Sequence, residues 1–164
     1  PDGWRVATVT EEGSLRLWSL TDGRQLARWS APEEPTQFYG VRFHPDATRL
    51  VTAGSIAGRE VVSVWDVETG KILWTFTHDD FPATDLVFTW DGFLVTSNLK
   101  DSVTVWDLDK RELVNRLEGG TLHGLAIAVS PNGRTLALGS GVPGGAVHFW
   151  RRWNRPRPGE PRHR

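Results

Sequence analysis

A short alternating segment that closes on tryptophan occurs four times in this chain, and nothing else in the sequence limits the fold so tightly. The segments are SLRLWSL (14–20), VVSVWDV (61–67), SVTVWDL (102–108) and AVHFWRR (146–152). Their tryptophans, Trp18, Trp65, Trp106 and Trp150, lie 47, 41 and 44 residues apart. A second landmark precedes each one: Pro1-Asp2-Gly3, Pro45-Asp46-Ala47, Trp90-Asp91-Gly92 and Pro131-Asn132-Gly133, spaced 44, 45 and 41. Two independent landmarks on one period mark structural repeats.

Inside each repeat the periodicity is that of strands. Positions −1 and −3 from the tryptophan are apolar (Leu17/Leu15, Val64/Val62, Val105/Val103, Phe149/Val147), and position −2 is Arg16, Ser63, Thr104 or His148. Alternation of period two gives one sheet face a continuous apolar surface. The Asp-Gly and Asn-Gly pairs are turn chemistry, because these residues tolerate positive φ. Strands are expected at 39–43, 84–88 and 125–129 (a), at 5–10, 49–54, 93–97 and 135–140 (b), at the tryptophan segments (c), and at 25–29, 71–76 and 112–117 (d). The first repeat lacks strand a and the last lacks strand d, so the expected division is three, four, four and three strands. A solitary four-stranded sheet cannot bury its apolar face, whereas sheets stacked on their neighbours can. The fold class is therefore all-β, made of four-stranded antiparallel propeller blades, about four of them forming a partial ring.

Composition narrows the function classes. No apolar run approaches the roughly 20 residues of a spanning helix, and residues 1–15 contain Asp2, Arg5, Glu11 and Glu12 where a signal peptide would be apolar. With 0 Cys there is no disulfide, thiolate or Cys-bound zinc chemistry, which fits a cytoplasmic location. The 5 His show no zinc spacing. Residues 1–150 are acidic, and the tail from 151 carries 6 Arg and 1 Glu. The Pro-rich segment 154–164 is expected to be disordered. Contact of this tail with an anionic polymer is a third functional reading, although nucleic acid is not the expected partner.

Trp65-Asp66 and Trp106-Asp107, with an Asp-Gly-type turn upstream and a period near 43, resemble the WD-repeat β-propeller family over about residues 1–152. Trp18-Ser19 and Trp150-Arg151 depart from the dipeptide. The resemblance implies a rigid, non-catalytic protein-binding platform, with residues 1–153 forming blades at 1–29 (partial), 30–76, 77–117 and 118–153 (partial). It also implies a buried hydrogen-bonded set, for which the third repeat offers His78, Ser97, Trp106 and Asp101, or the neighbouring Lys100 depending on register. Four blades are fewer than the family's usual seven. The chain is thus expected to be the C-terminal part of a larger propeller, its ring closed by further blades of the same polypeptide or by a second copy.

In a propeller the d–a and b–c loops share one face, and loops on a rigid scaffold carry function. That face holds Glu33, Glu34, Asp79, Asp80 and Asp101 against Arg59 and Lys100, with Phe38, Phe81 and Leu122 as apolar candidates. An acidic rim with apolar anchors is suited to a basic or mixed peptide. No catalytic, metal or cofactor residue is assigned. Gly139–Gly144 spells a dinucleotide-like glycine pattern, but a strand follows it where a helix is needed. The segment from Asp66 to Trp74 also resembles the repeat of quinoprotein (pyrroloquinoline-quinone) dehydrogenase propellers, which gives the alternative function of an enzyme fragment.

Overall fold

The computed structural model describes residues 1–34, 36–77, 83–98, 102–118, 124–141 and 145–151. Every regular element among them is a strand. The first sheet comprises β1 (Arg5–Val9), β2 (Ser14–Ser19) and β3 (Gln25–Ser30). The second comprises β4 (Thr36–Phe43), β5 (Arg49–Ile56), β6 (Arg59–Asp66) and β7 (Ile72–Thr77). The third comprises β8 (Ala83–Phe88), β9 (Leu94–Asn98), β10 (Ser102–Asp107) and β11 (Glu112–Glu118). The fourth comprises β12 (Gly124–Val129), β13 (Thr135–Ser140) and β14 (Val147–Arg151). Neighbours in sequence are neighbours in each sheet, the antiparallel meander of a propeller blade. Among the described residues no helix is long and apolar enough to cross a membrane.

The chain divides into two compact units, Pro1–Leu86 and Val87–Arg164. In the first, Leu15 and Leu17 of β2 pack with Leu50, Phe38 and Trp65 of the second sheet. In the second, Val95, Val103 and Val105 pack with Ile127, Leu136 and Leu138, and Trp150 lies against this cluster. Each unit therefore buries the same pair of surfaces: the −1/−3 face of one sheet meets the tryptophan face of the next. Each fully buried aliphatic side chain contributes roughly 1.5–3 kcal/mol. The last sheet differs, since Val147 and Phe149 are 57% and 65% exposed although they hold the −3 and −1 positions.

Turn chemistry repeats with the same regularity. Asp2 accepts the amides of Trp4 and Arg5, Asp46 those of Thr48 and Arg49, and Asn132 that of Arg134. The next position takes positive φ: Gly3 at 80°, Ala47 at 60°, Gly92 at 87° and Gly133 at 66°. The Asp of the Trp-Asp pair caps the c–d turn. Asp66 Oδ1 accepts from the amide and hydroxyl of Thr69, both at 2.7 Å, and Asp107 Oδ1 from the amides of Asp109 and Lys110. In the first repeat Ser19 Oγ takes that place and accepts the Thr21 amide.

The strand pattern did not announce a bulge that recurs in three sheets. Between strands c and d the register slips at Leu17/Trp18, Val64/Trp65 and Val105/Trp106. One d-strand residue is left without a partner in each case: Leu26, Leu73 and Val114. Leu26 and Leu73 are turned outward. A bulge at this place adds twist to the outermost strand.

Candidate functional site

Three connections converge at one end of the first unit. The β1–β2 turn closes with Gly13 at φ 74°. A methyl group on Gly13 would press on the Thr36 backbone and side chain at 2.9 Å, so this turn abuts the start of β4. Thr36 ties down the preceding loop, its hydroxyl donating to the Glu33 carbonyl at 2.5 Å and its amide to Glu34 Oε2 at 3.1 Å. The β5–β6 hairpin turns through Ala57 and Gly58, both with positive φ, the pattern of a type I′ turn. It carries Arg59 toward the loop, where Nη2 lies 3.6 Å from Glu33 Oε2. Glu33, Glu34 and Arg59, singled out as separate sequence positions, are brought together here. Glu11 and Glu12 of the adjoining turn are exposed as well.

Behind the Glu33–Arg59 pair is a cleft of about 370 Å³. Pro32 and Glu33 form one wall; Ile56, Arg59, Val61, Ile72, Thr75 and Thr77 form the other. Neither the cleft nor the ion pair is visible as a motif, because they join residues on four different segments. Glu60, next to Arg59 but on the opposite strand face, is half-buried. Burial pushes its carboxyl above the ordinary range, and a hydrogen bond with Tyr39 works against that rise. Burial, then the Glu60 carboxylate, push the Tyr39 phenol up.

Phe38 is not at this surface. It is 3% exposed and meets Trp65 edge-on at 5.8 Å between ring centroids. His78, Asp79, Asp80, Phe81, Lys100, Asp101 and Leu122 lie outside the described residues. The tryptophans of the repeat have distinct partners. Trp18 Nε1 donates to Thr8 Oγ1 and Trp65 Nε1 to Thr52 Oγ1, each at 2.9 Å. Trp106 Nε1 donates to Thr104, whose hydroxyl meets Thr96 across the strands. Trp150 lies near the His148 ring. Ser97 pairs with Val103 and thus sits on the strand face opposite Trp106, while Thr96 shares the indole's face. A one-residue offset in a strand exchanges faces. Thr8, Thr52 and Thr96 are evenly spaced; the first two accept from the indole of their own repeat, whereas in the third repeat Thr104 accepts from the indole and Thr96 meets it through the Thr104 hydroxyl.

Among the described residues no group of three or more His, Cys, Asp or Glu side chains is placed to hold a metal ion. The segment beginning at Asp66 is a hairpin turn in which Asp66 caps Thr69 and Gly70 supplies φ 68°.

Comparison with known proteins agrees with this architecture. No family model matches the chain. Pre-mRNA-processing factor 17 of Homo sapiens is 29% identical over 143 residues, covering 84% of this chain and 24% of that protein. WD repeat and SOCS box-containing protein 1 of Homo sapiens is 30% identical over 138 residues, covering 82% and 31%. The chain belongs to the WD-repeat family. A coronin-like protein of Saccharomyces cerevisiae is 31% identical over 151 residues, with 83% of this chain and 22% of that protein covered. The chain thus spans about a quarter of the length of the WD-repeat relatives it matches.

Proposed function

We propose that this WD-repeat chain is a non-catalytic protein-binding platform that receives its partner on the d–a/b–c loop face. The observation that carries this reading is the Glu33–Arg59 pair, which draws the loop before β4 and the β5–β6 turn to one surface. That surface is acidic on balance: Glu11, Glu12, Glu33 and Glu34 are exposed beside Arg59 and Arg28, the latter bonded to Ser14 next to the β1–β2 turn. The relatives support a platform over a fixed chemistry. Their names speak of a pre-mRNA-processing factor, a coronin-like protein and a SOCS box-containing protein, and each aligns with more than four fifths of this chain. A basic or mixed peptide is the partner class the charge selects, since rim charge sets encounter rate and discrimination.

Blades at 30–76 and 77–117, with partial blades at 1–29 and 118–153, are part of the same proposal, as are further sheets of this type covering the exposed Val147–Phe149 face. The test of the loop face is charge reversal. Cross-linking in extract of the source cell is compared for the native chain and for a Glu33→Lys/Glu34→Lys variant. Both residues are exposed and outside the strands; because Glu34→Lys removes the acceptor of the Thr36 amide, a thermal melt of the variant accompanies the cross-linking. Loss of the cross-linked partners is expected; an unchanged partner set would overturn the reading.

A further inference from the structure

We infer that the cleft behind the Glu33–Arg59 pair takes one aliphatic side chain of an extended peptide whose neighbouring residue is Lys or Arg. This rests on the loop-face reading and specifies its ligand. The walls supply the apolar part: Pro32, Ile56, Val61 and Ile72 border a space of about 370 Å³, within the size range of pockets that enclose small ligands. That space exceeds what one aliphatic side chain fills, which leaves room for the peptide backbone beside it.

The polar part is independent of the rim. Thr75 lines the cleft and pairs in register with Ser63, on the same strand face as Val61. Ser63 is fully buried, and its Oγ has no hydrogen-bond partner. A buried hydroxyl left unpaired costs about 1–3 kcal/mol. Ser63 itself is enclosed and does not line the cleft, so the polar groups offered to an entering peptide are the exposed Thr75 and Thr77 hydroxyls, which do.

The mouth selects the flanking residue. The Glu33 and Arg59 side chains are 58% and 70% exposed and their charges 3.6 Å apart, so the pair is weak and opens cheaply. An entering Lys or Arg replaces Arg59 at Glu33 and finds Glu34 next to it. An entering carboxylate would meet four exposed glutamates against the Arg59 and Arg28 guanidinium groups.

The experiment is selection of a random dodecapeptide phage library on the full chain, followed by fluorescence anisotropy of the enriched peptides. Expected sequences place Leu, Ile or Val beside Lys or Arg. Replacing that aliphatic residue by Ala should weaken binding at least tenfold. Thr75→Phe, which fills the cleft from an exposed position, should weaken it similarly, and Thr77→Phe serves as a second blocking variant. Failure to enrich any peptide, or enriched peptides without the pattern, would overturn the inference. Peptides that lose binding with Glu33→Lys but not with either blocking variant would overturn the cleft and leave the acidic face standing. Peptides indifferent to all three variants would overturn both.

Discussion

The indole of Trp29, at the end of β3, lies directly over Gly70 in the β6–β7 turn. A methyl group at Gly70 would overlap the indole Cδ1 and Nε1. The same glycine holds φ at 68°, so both its backbone and its missing side chain are used. Gly70→Ala should therefore cost about 2–4 kcal/mol, combining overpacking with the left-handed penalty. Gly23 is the matching control: its φ is 70° and nothing lies within 4 Å of a methyl there. Gly23→Ala should cost only about 1–2 kcal/mol. Urea denaturation of the two variants measures the difference, and equal losses would show that Trp29 does not press on the turn.

Ala47 presents the converse case. It sits at φ 60°, where the equivalent turns use Gly3, Gly92 and Gly133. Relief of the left-handed strain exceeds the added chain entropy of glycine, so Ala47→Gly should stabilise by up to about 1 kcal/mol. A thermal melt reads the change, and a fall in midpoint would contradict the account.

Asp46 couples the neighbouring turn to pH. Partial burial acts to raise its pKa. Hydrogen bonds from the Thr48 amide and Arg49, with His44 nearby, outweigh burial and hold it at about 2. A carboxyl depressed on folding stabilises above its unfolded pKa, near 4, and that contribution is lost as pH falls toward 2. The site is partly exposed, and solvent screening reduces the effect to about 1 kcal/mol. Between pH 4 and 2, Asp46→Asn should flatten the decline in stability seen for the native chain. An identical decline in both would remove Asp46 from the explanation.

Phe38 separates packing from binding. Its ring is buried against Trp65, so Phe38→Ala should cost about 3–5 kcal/mol in stability. Calorimetry measures it, and a loss below about 1 kcal/mol would show that the ring is not a core element.

The repeat period and the alternation around Trp18, Trp65, Trp106 and Trp150 carried the strand order, because backbone pairing and two-residue periodicity are local properties. The a–b turns were legible for the same reason: Asp and Asn announce the amides they cap. The site was legible only in part. Glu33 and Arg59 were identifiable as loop charges, but their meeting depends on where β4 and β6 place their ends. Phe38 occupies strand β4 four residues after Glu34, and its burial is decided by Trp65, which no local pattern connects to it. Thr96 and Ser97 are chemically equivalent neighbours, so only register with β10 chooses between them.

The side-chain oxygen that follows Trp18, Trp65 and Trp106 has one duty, to reach the amides of the turn beyond it. A carboxylate does this at Asp66 and Asp107, and a hydroxyl does it at Ser19. Any short acceptor satisfies that demand, so mutation can erase the hallmark dipeptide from a lineage while the underlying hairpin persists. Blades of this kind outlive their own signature.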